Sequence, residues 1–272
     1  MTSTPRLAIL GSGNIGLALA KGLVKAGLTT AANITLTRRH VAALAPLAAA
    51  GFPTTADNVA AIETADIIVL AVLPQQLNTL LAELTPRLVS ARHLIISVVS
   101  GVSCQDIRHQ TGLPELRVVR AMPNTAISIA QSMTCVASDT APEADLALVI
   151  QLFDTVGVSI RINEELMTSA TALCACGIAF FLRAIRAASQ GGTEIGFHAH
   201  DALRMAAQTA QGAAALLLQL GTHPEQEIDK VTSPKGCTIA GLNEMEHQGF
   251  SSALIKGIKT SAVKAGGLYK EG

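Results

Sequence analysis

The chain's 272 residues suffice for one large domain or two ordinary ones, and a hydrophobic share of 49% supplies ample material for a buried core. Lys plus Arg (20) balances Asp plus Glu (20), which excludes a global field drawing the protein to nucleic acid or an anionic membrane. Cys104, Cys135, Cys174, Cys176 and Cys237 include no Cys-x-x-Cys pair, which argues against a disulfide framework or zinc ribbon and fits a reducing, cytoplasmic location.

No positively charged region leads into a long apolar segment before position 7, so secretion is not expected. Residues 7–10 then form a short apolar run that meets Gly11-Ser12-Gly13-Asn14-Ile15-Gly16, and Ile15, Leu17, Leu19, Leu23 and Val24 follow with helical spacing. Strand, Gly-x-Gly-x-x-Gly turn and helix in that order make a dinucleotide-binding fingerprint. The first glycine allows the sharp turn, the second clears space for a pyrophosphate, and the third lets helix and strand pack closely. The helix N-terminus offers its free N–H groups to the phosphates.

Runs at 34–37, 67–73, 94–99 and 118–122 read as further strands with helical patterns between them, as in parallel βαβ units. Two shorter strand candidates, 133–137 and 158–162, flank a helix beginning near Pro142, with Pro142 suited to the first helical position and Glu143 to the positive dipole end. After about Asn163 the texture becomes Ala- and Leu-rich with helical spacing and no convincing strand. The expected fold is α/β: an N-terminal Rossmann dinucleotide-binding domain over 1–163, followed by an all-α C-terminal domain over 164–272.

Within that second domain, residues 166–182 carry no charge and approach membrane-spanning length, but Thr168, Ser169 and Thr171 favour a buried helix at a subunit interface. The small-residue stretch 206–215 lets helices approach closely, and the apolar faces favour burial against a second copy over an ordinary monomeric core.

NAD enzymes usually place a carboxylate at the end of the second strand for the ribose hydroxyls. Here the strand ends at Arg38 and Arg39, whose planar donor forks suit a 2′-phosphate, so NADP is favoured over NAD; the bland alternative is two solvated surface charges. The strand over 67–73 stops at Pro74, and Ala71, Val72, Leu73, Pro74 and Gln75 face the ligand crevice, although Pro74 as a helix starter explains the geometry equally well. Gly101, after the fifth strand, allows close approach of a nicotinamide ring. In the cluster 231–238, backbone N–H groups ahead of Ile239, Leu242 and Met245 can bind a carboxylate, while a helix cap supplied by Thr238 or Ser233 is the structural alternative.

Taken in order, Gly-x-Gly-x-x-Gly, Ala-Val-x-Pro-Gln (from Ala71), Arg-x-Met-Pro-Asn-Thr (from Arg120) and Val-Thr-Ser-Pro-x-Gly-x-Thr (from Val231) resemble the pyrroline-5-carboxylate reductase family over nearly the whole chain. The resemblance implies hydride transfer from NADPH, or NADH, to the C=N carbon of a cyclic imino acid, giving L-proline as the last step of its biosynthesis. It implies that Gly11, Ser12, Gly13, Asn14, Ile15, Gly16, Arg38, Asn58, Ala71, Val72, Leu73, Pro74, Gln75, Met122, Pro123 and Asn124 border the cofactor. By the same resemblance Ser233, Lys235, Gly236, Cys237 and Thr238 hold the substrate carboxylate, and the Thr238 hydroxyl bonds the ring nitrogen. It further implies a homodimer through the C-terminal helices that assembles further.

The chain departs from the family pattern in several places. Cys174-Ala175-Cys176-Gly177-Ile178-Ala179-Phe180 stands where the family has Ser-Gly-Ser-Gly-Pro-Ala-Tyr, Leu73 replaces a Lys, Arg186 a Glu and Lys235 a Gly. Lys235 adds a second cation for the carboxylate. Two rivals follow from these changes: a reductase of a different cyclic imino acid, and a non-catalytic NADP-binding regulator. A β-hydroxyacid dehydrogenase loses its catalytic Lys, since 166–190 holds Arg183 and Arg186 but no Lys. His198 and His200 lack a third partner at metal-ligand spacing and read as surface or structural residues.

Overall fold

In a computed structural model of the protein the described residues are 5–269; positions 1–4, part of the segment read for a leader, and 270–272 lie outside them. Two compact units emerge, Met1–Cys176 together with Ser261–Gly272, and Gly177–Thr260.

The first unit is built on an eight-stranded sheet of order β3-β2-β1-β4-β5-β6-β7-β8. The strands are β1 (Leu7–Leu10), β2 (Ile34–Thr37), β3 (Thr54–Thr55), β4 (Ile67–Leu70), β5 (Leu94–Ser97), β6 (Arg117–Met122), β7 (Ser132–Ala137) and β8 (Gly157–Arg161). Those from β1 to β6 run parallel, β7 turns antiparallel against β6, and β8 lies parallel to β7. The connecting helices are α1 (Asn14–Lys25), α2 (Ala45–Ala49), α3 (Asn58–Glu63), α4 (Pro74–Leu84), α5 (Cys104–Thr111) and α6 (Glu143–Asp154). Strands β1, β4 and β5 are buried at every position because helices cover both faces, which is why they read as continuous apolar runs. Alternation along the strands splits the core in two. Ile9, Val69 and Ile96 pack with Leu19, Leu23 and Phe153 on one face, whereas Leu10, Ile68 and Ile95 pack with Leu77, Leu81 and Ile107 on the other.

Some boundaries differ from the sequence pattern. The apolar run 67–73 stays in the strand only to Leu70, because Ala71, whose N–H makes the last bond to β1, and Val72 turn to pass beside Gly11, and Leu73 precedes the first turn of α4. β3 has two residues, too few for any periodicity to show. Pro142 precedes α6 instead of occupying its first position: with φ −54° and ψ 150° it is extended, and its carbonyl accepts from the Asp145 N–H.

Next come α7 (Met167–Ala170), a π-helical turn over Thr171–Cys176, α8 (Gly177–Glu194), α9 (Ala199–Leu220), α10 (Pro224–Lys230), α11 (Cys237–His247) and α12 (Phe250–Gly267). In the second unit α8 packs on α9, and a Cβ at Gly192 would stand 3.1 Å from Ala202 Cβ, so the glycine lets the pair approach. Over residues 177–260 only Gly177, Ser189 and Ala202 are buried, while Phe181, Leu182, Ile195, Leu216 and Leu218 are exposed. Such a unit has no core of its own, and its apolar faces call for a cover. The continuous helical stretch Glu164–Glu194 is long and apolar enough to cross a membrane.

Candidate active site

The parallel strands deliver one crevice edge. Residues 11–16 follow β1, Arg38 and Arg39 follow β2, Asn58 opens α3, residues 71–75 follow β4, Gly101 comes after β5, and Met122 ends β6. Such C-terminal strand edges are where nucleotides dock in doubly wound sheets.

The three glycines divide the labour. Gly11 takes φ +87°, and a Cβ there would come within 2.7 Å of the Ala71 oxygen, so both the turn and the close approach of 71–72 require it. At Gly16 a Cβ would sit 2.8 Å from Ile9 Cγ2, closing the gap between α1 and β1. Gly13 is different: its side-chain position faces open space, with only the Gly11 oxygen at 4.0 Å. Gly13 also caps α1 without any side-chain bond, leaving the first N–H groups free for an anion. Asn14 is exposed, Ile15 half-buried and Ser12 buried, with its hydroxyl donating to the Ile9 carbonyl at 3.3 Å.

Thr37, which the sequence reading took only as a strand residue, ties this turn to Asn58. Its hydroxyl donates to Asn58 Oδ1 at 2.7 Å and accepts from the Gly11 N–H at 3.4 Å, while its carbonyl accepts from the Ser12 N–H at 2.8 Å. No local signal reports a contact across 21 residues. Arg38 and Arg39 are exposed, and neither guanidinium forms a hydrogen bond or ion pair among the described residues.

Along the rest of the edge, the Ala71 N–H donates to the Leu10 carbonyl, Leu73 is exposed, and Pro74 starts α4 with Gln75 exposed beside it. At Gly101, φ +79°, a Cβ would meet the Ala265 oxygen at 3.1 Å and Leu268 Cβ at 3.3 Å, so the close approach this glycine permits is that of the end of α12. Tyr269 completes that docking by donating its hydroxyl to Asn78 Oδ1 at 2.6 Å. Met122 and Pro123 are buried; Asn124 is held on three sides, its N–H donating to Ser132 Oγ, its Oδ1 accepting from the Ala126 N–H, and its Nδ2 donating to the Cys174 carbonyl at 3.3 Å.

The second unit holds the other predicted residues. After α10, the Gly236 N–H closes a turn on the Ser233 carbonyl at 2.9 Å, with Lys235 forced to φ +60°. A Cβ at Gly236 would lie 2.5 Å from Ser233 Oγ and 2.9 Å from the Ser233 carbonyl oxygen, so a larger residue would have to push the turn's backbone apart. Gly236 itself caps α11 with no side-chain bond, which overturns the expectation of a cap supplied by Thr238 or Ser233: neither hydroxyl turns back onto the helix end. The N–H groups at Cys237 and Thr238 are thereby left to a ligand, and the half-buried Thr238 hydroxyl makes no bond among the described residues. Among the described residues no group of three His, Cys, Asp or Glu is placed to hold a metal ion; His200 lies 3.3 Å from Asp201, and His198 precedes α9.

Residues 164–268 match the family described as pyrroline-5-carboxylate reductase dimerisation, and residues 6–101 match that described as NADP oxidoreductase, coenzyme F420-dependent. Pyrroline-5-carboxylate reductase 1 of Dictyostelium discoideum is 52% identical over 97% of this chain, which spans only 50% of that protein's length. Pyrroline-5-carboxylate reductase 2 of the same organism is 47% identical, with 97% of this chain and 93% of that protein covered. Among solved structures, a pyrroline-5-carboxylate reductase from Coxiella burnetii is similar with TM-score 0.90 and 28% identity, over 98% of this chain and 99% of that one. The Plasmodium falciparum pyrroline carboxylate reductase with NADP bound shares the fold at TM-score 0.87 and 23% identity, over 99% and 100% of the two chains.

Proposed function

The chain belongs to the pyrroline-5-carboxylate reductase family, and we propose that it catalyses the last step of proline biosynthesis, the NAD(P)H-dependent reduction of 1-pyrroline-5-carboxylate to L-proline. It is an oxidoreductase of NADP-binding Rossmann type, and the preference for NADPH over NADH is the finer part of the proposal. The observation that carries the reading is that one chain holds both an open glycine turn at Gly13 and an uncapped helix start at Thr238.

The free N–H groups of 14–16 hold the pyrophosphate, the unpaired Arg38 and Arg39 take the 2′-phosphate, and Asn58, residues 71–75, Met122, Pro123 and Asn124 border the rest of the cofactor, while Gly101 is taken up by the end of α12. When bound, the nicotinamide supplies the hydride. Residues 233–238 bind the carboxylate through the N–H groups at the start of α11, Lys235 adds an ammonium, and Thr238 hydrogen-bonds the ring nitrogen. A protonated imine is already electrophilic, so the chain's task is alignment instead of strong acid catalysis.

The protein is a homo-oligomer. We assign the contact to the C-terminal helices of a dimer, in which a second copy covers Phe181, Leu182, Ile195, Leu216 and Leu218, with further assembly of dimers following. In this reading 1–163 binds the cofactor, 164–272 supplies substrate binding and dimerisation, and the apolar stretch within 164–194 belongs to the interface of a cytoplasmic enzyme. A balanced net charge leaves no call for nucleic acid or membrane partners.

The test couples NADPH oxidation to proline formation from 1-pyrroline-5-carboxylate, comparing the wild type with Thr238→Ala. Loss of a hydrogen bond to a charged ring nitrogen, about 1.5–3 kcal/mol, lowers kcat/KM roughly ten- to hundredfold. A wild type that forms no proline overturns the assignment.

A further inference from the structure

We propose that Cys135 and Cys174 form a reversible intramolecular disulfide when the protein meets a hydroperoxide, and that this bridge loosens the residues around Asn124. The two sulfurs lie 3.8 Å apart, Cys135 buried on β7 and Cys174 half-buried in the π-helical turn over Thr171–Cys176. A disulfide needs about 2 Å between sulfurs, so closure requires them to approach by roughly another 2 Å. The π-helical turn that carries Cys174, with bonds spanning five residues instead of four, is the element that yields in this proposal.

The surroundings direct the chemistry. Met122, Ala137, Met167 and Ala170 line the cluster, so each thiol has the other as its polar neighbour. Either thiol can donate across the 3.8 Å contact; with the proton held on the more buried Cys135, the pairing favours the Cys174 thiolate and lowers its pKa, while the same pairing and burial raise that of Cys135. Cys174 is also the more exposed of the two, so the oxidant meets the more nucleophilic sulfur. Its thiolate attacks the O–O bond of the hydroperoxide: S–O forms, O–O breaks, and the alkoxide leaves and takes a proton. The Cys135 sulfur then attacks the sulfenic sulfur, forming S–S and breaking S–O, and its proton leaves with the hydroxide as water. Two thiols and one hydroperoxide thus give a cystine, an alcohol and water, and an added dithiol reverses the bridge. Of the three other cysteines, Cys104 is buried, with its thiol pushed up to about 12 by burial and the charge of Glu164; Cys176 is half-buried at the end of the same π-helical turn and Cys237 is exposed, and neither of these two makes a sulfur–sulfur contact among the described residues.

Both ends of the bridge touch the crevice edge. Cys135 pairs with Met122 across β6 and β7, and the Cys174 carbonyl accepts from Asn124 Nδ2 at 3.3 Å. Drawing Cys174 toward β7 displaces the carbonyl that anchors Asn124. The effect on cofactor binding rests on the reading that Met122, Pro123 and Asn124 border the cofactor; the bridge itself does not.

The experiment treats the reduced full-length protein with hydrogen peroxide at near-stoichiometric ratio, blocks remaining thiols in denaturant, and maps peptides by mass without reductant. A linked peptide pair carrying Cys135 and Cys174, lighter by two hydrogens and formed before Cys237 oxidises, is expected; dithiothreitol abolishes it. NADPH affinity, read by fluorescence titration, falls several-fold in the bridged form and recovers on reduction. In Cys135→Ser, dimedone traps a sulfenic acid at Cys174 instead, and Cys174→Ser gives neither product. Oxidation of Cys237 with Cys135 and Cys174 still free overturns the proposal, and a bridge that leaves NADPH affinity unchanged overturns the link to Asn124. Unchanged NADPH affinity in reduced Asn124→Ala would instead sink the cofactor reading at that residue, a failure separable from the mass result.

Discussion

Arg120 Nη1 lies 3.0 Å from Glu164 Oε1, and the same oxygen accepts the Cys104 N–H at 3.1 Å, so one carboxylate joins β6, the start of α5 and the segment just ahead of α7. The side chains are 5% and 17% exposed, which makes this a largely desolvated pair. Removing one partner strands a buried charge: Glu164→Ala should cost about 3–5 kcal/mol in urea unfolding. The double replacement Arg120→Met with Glu164→Leu should recover most of that loss, and a double variant as unstable as the single would contradict the pairing.

Thr37 links the glycine turn to Asn58. Thr37→Val keeps the shape but strips the hydroxyl, leaving Asn58 Oδ1 and the Gly11 N–H without their partner. A loss of about 1–2 kcal/mol is expected, together with weaker NADPH binding, and Thr37→Ser should restore both. Denaturation and cofactor titration on the same preparations check this.

The unpaired position of Arg38 predicts a selective effect. Arg38→Glu should weaken NADPH about tenfold or more and NADH much less, because only the former carries the 2′-phosphate. Equal weakening of the two cofactors would reject the phosphate role.

Lys235 sits at φ +60°, a left-handed conformation that glycine adopts without penalty. Lys235→Gly should therefore stabilise the fold by roughly 1 kcal/mol while raising KM for the imino acid through loss of the ammonium. Stability and KM rising together is the signature; an unchanged KM means that the charge does not reach the substrate.

His93 gives the protein an acid-side weakness. It is 1% exposed and its Nδ1 accepts the Val89 N–H at 3.0 Å. Burial first, then the Arg92 charge, lower its pKa below the usual 6.5. The unfolded chain therefore takes up the proton before the native state does. The contribution is complete above pH 6.5 and is lost as pH falls toward the folded pKa, with a slope of at most about 1.4 kcal/mol per pH unit. Urea midpoints from pH 7 to 5 should show this slope, and His93→Asn, which keeps an acceptor near Nδ1, should flatten it.

Much of this was legible in the sequence because it is written locally. The run 7–10, the turn 11–16 and the helix after it announce themselves by period and glycine spacing, and parallel βαβ alternation already implies that residues 11, 38, 71 and 101 end at one sheet edge. Composition and the helical texture after Asn163 likewise separated an α/β region from an all-helical one. The tertiary structure alone decided the pairs distant in sequence. The two-residue β3, the antiparallel turn of β7, the Thr37–Asn58 bond, the return of α12 to Gly101, the Arg120–Glu164 pair and the facing of Cys135 and Cys174 all depend on which strands neighbour which and in what register. A side chain's periodicity states which face it occupies. Only the packed arrangement of the faces states what it meets there, because those contacts are made by chain closure over tens of residues and leave no local pattern.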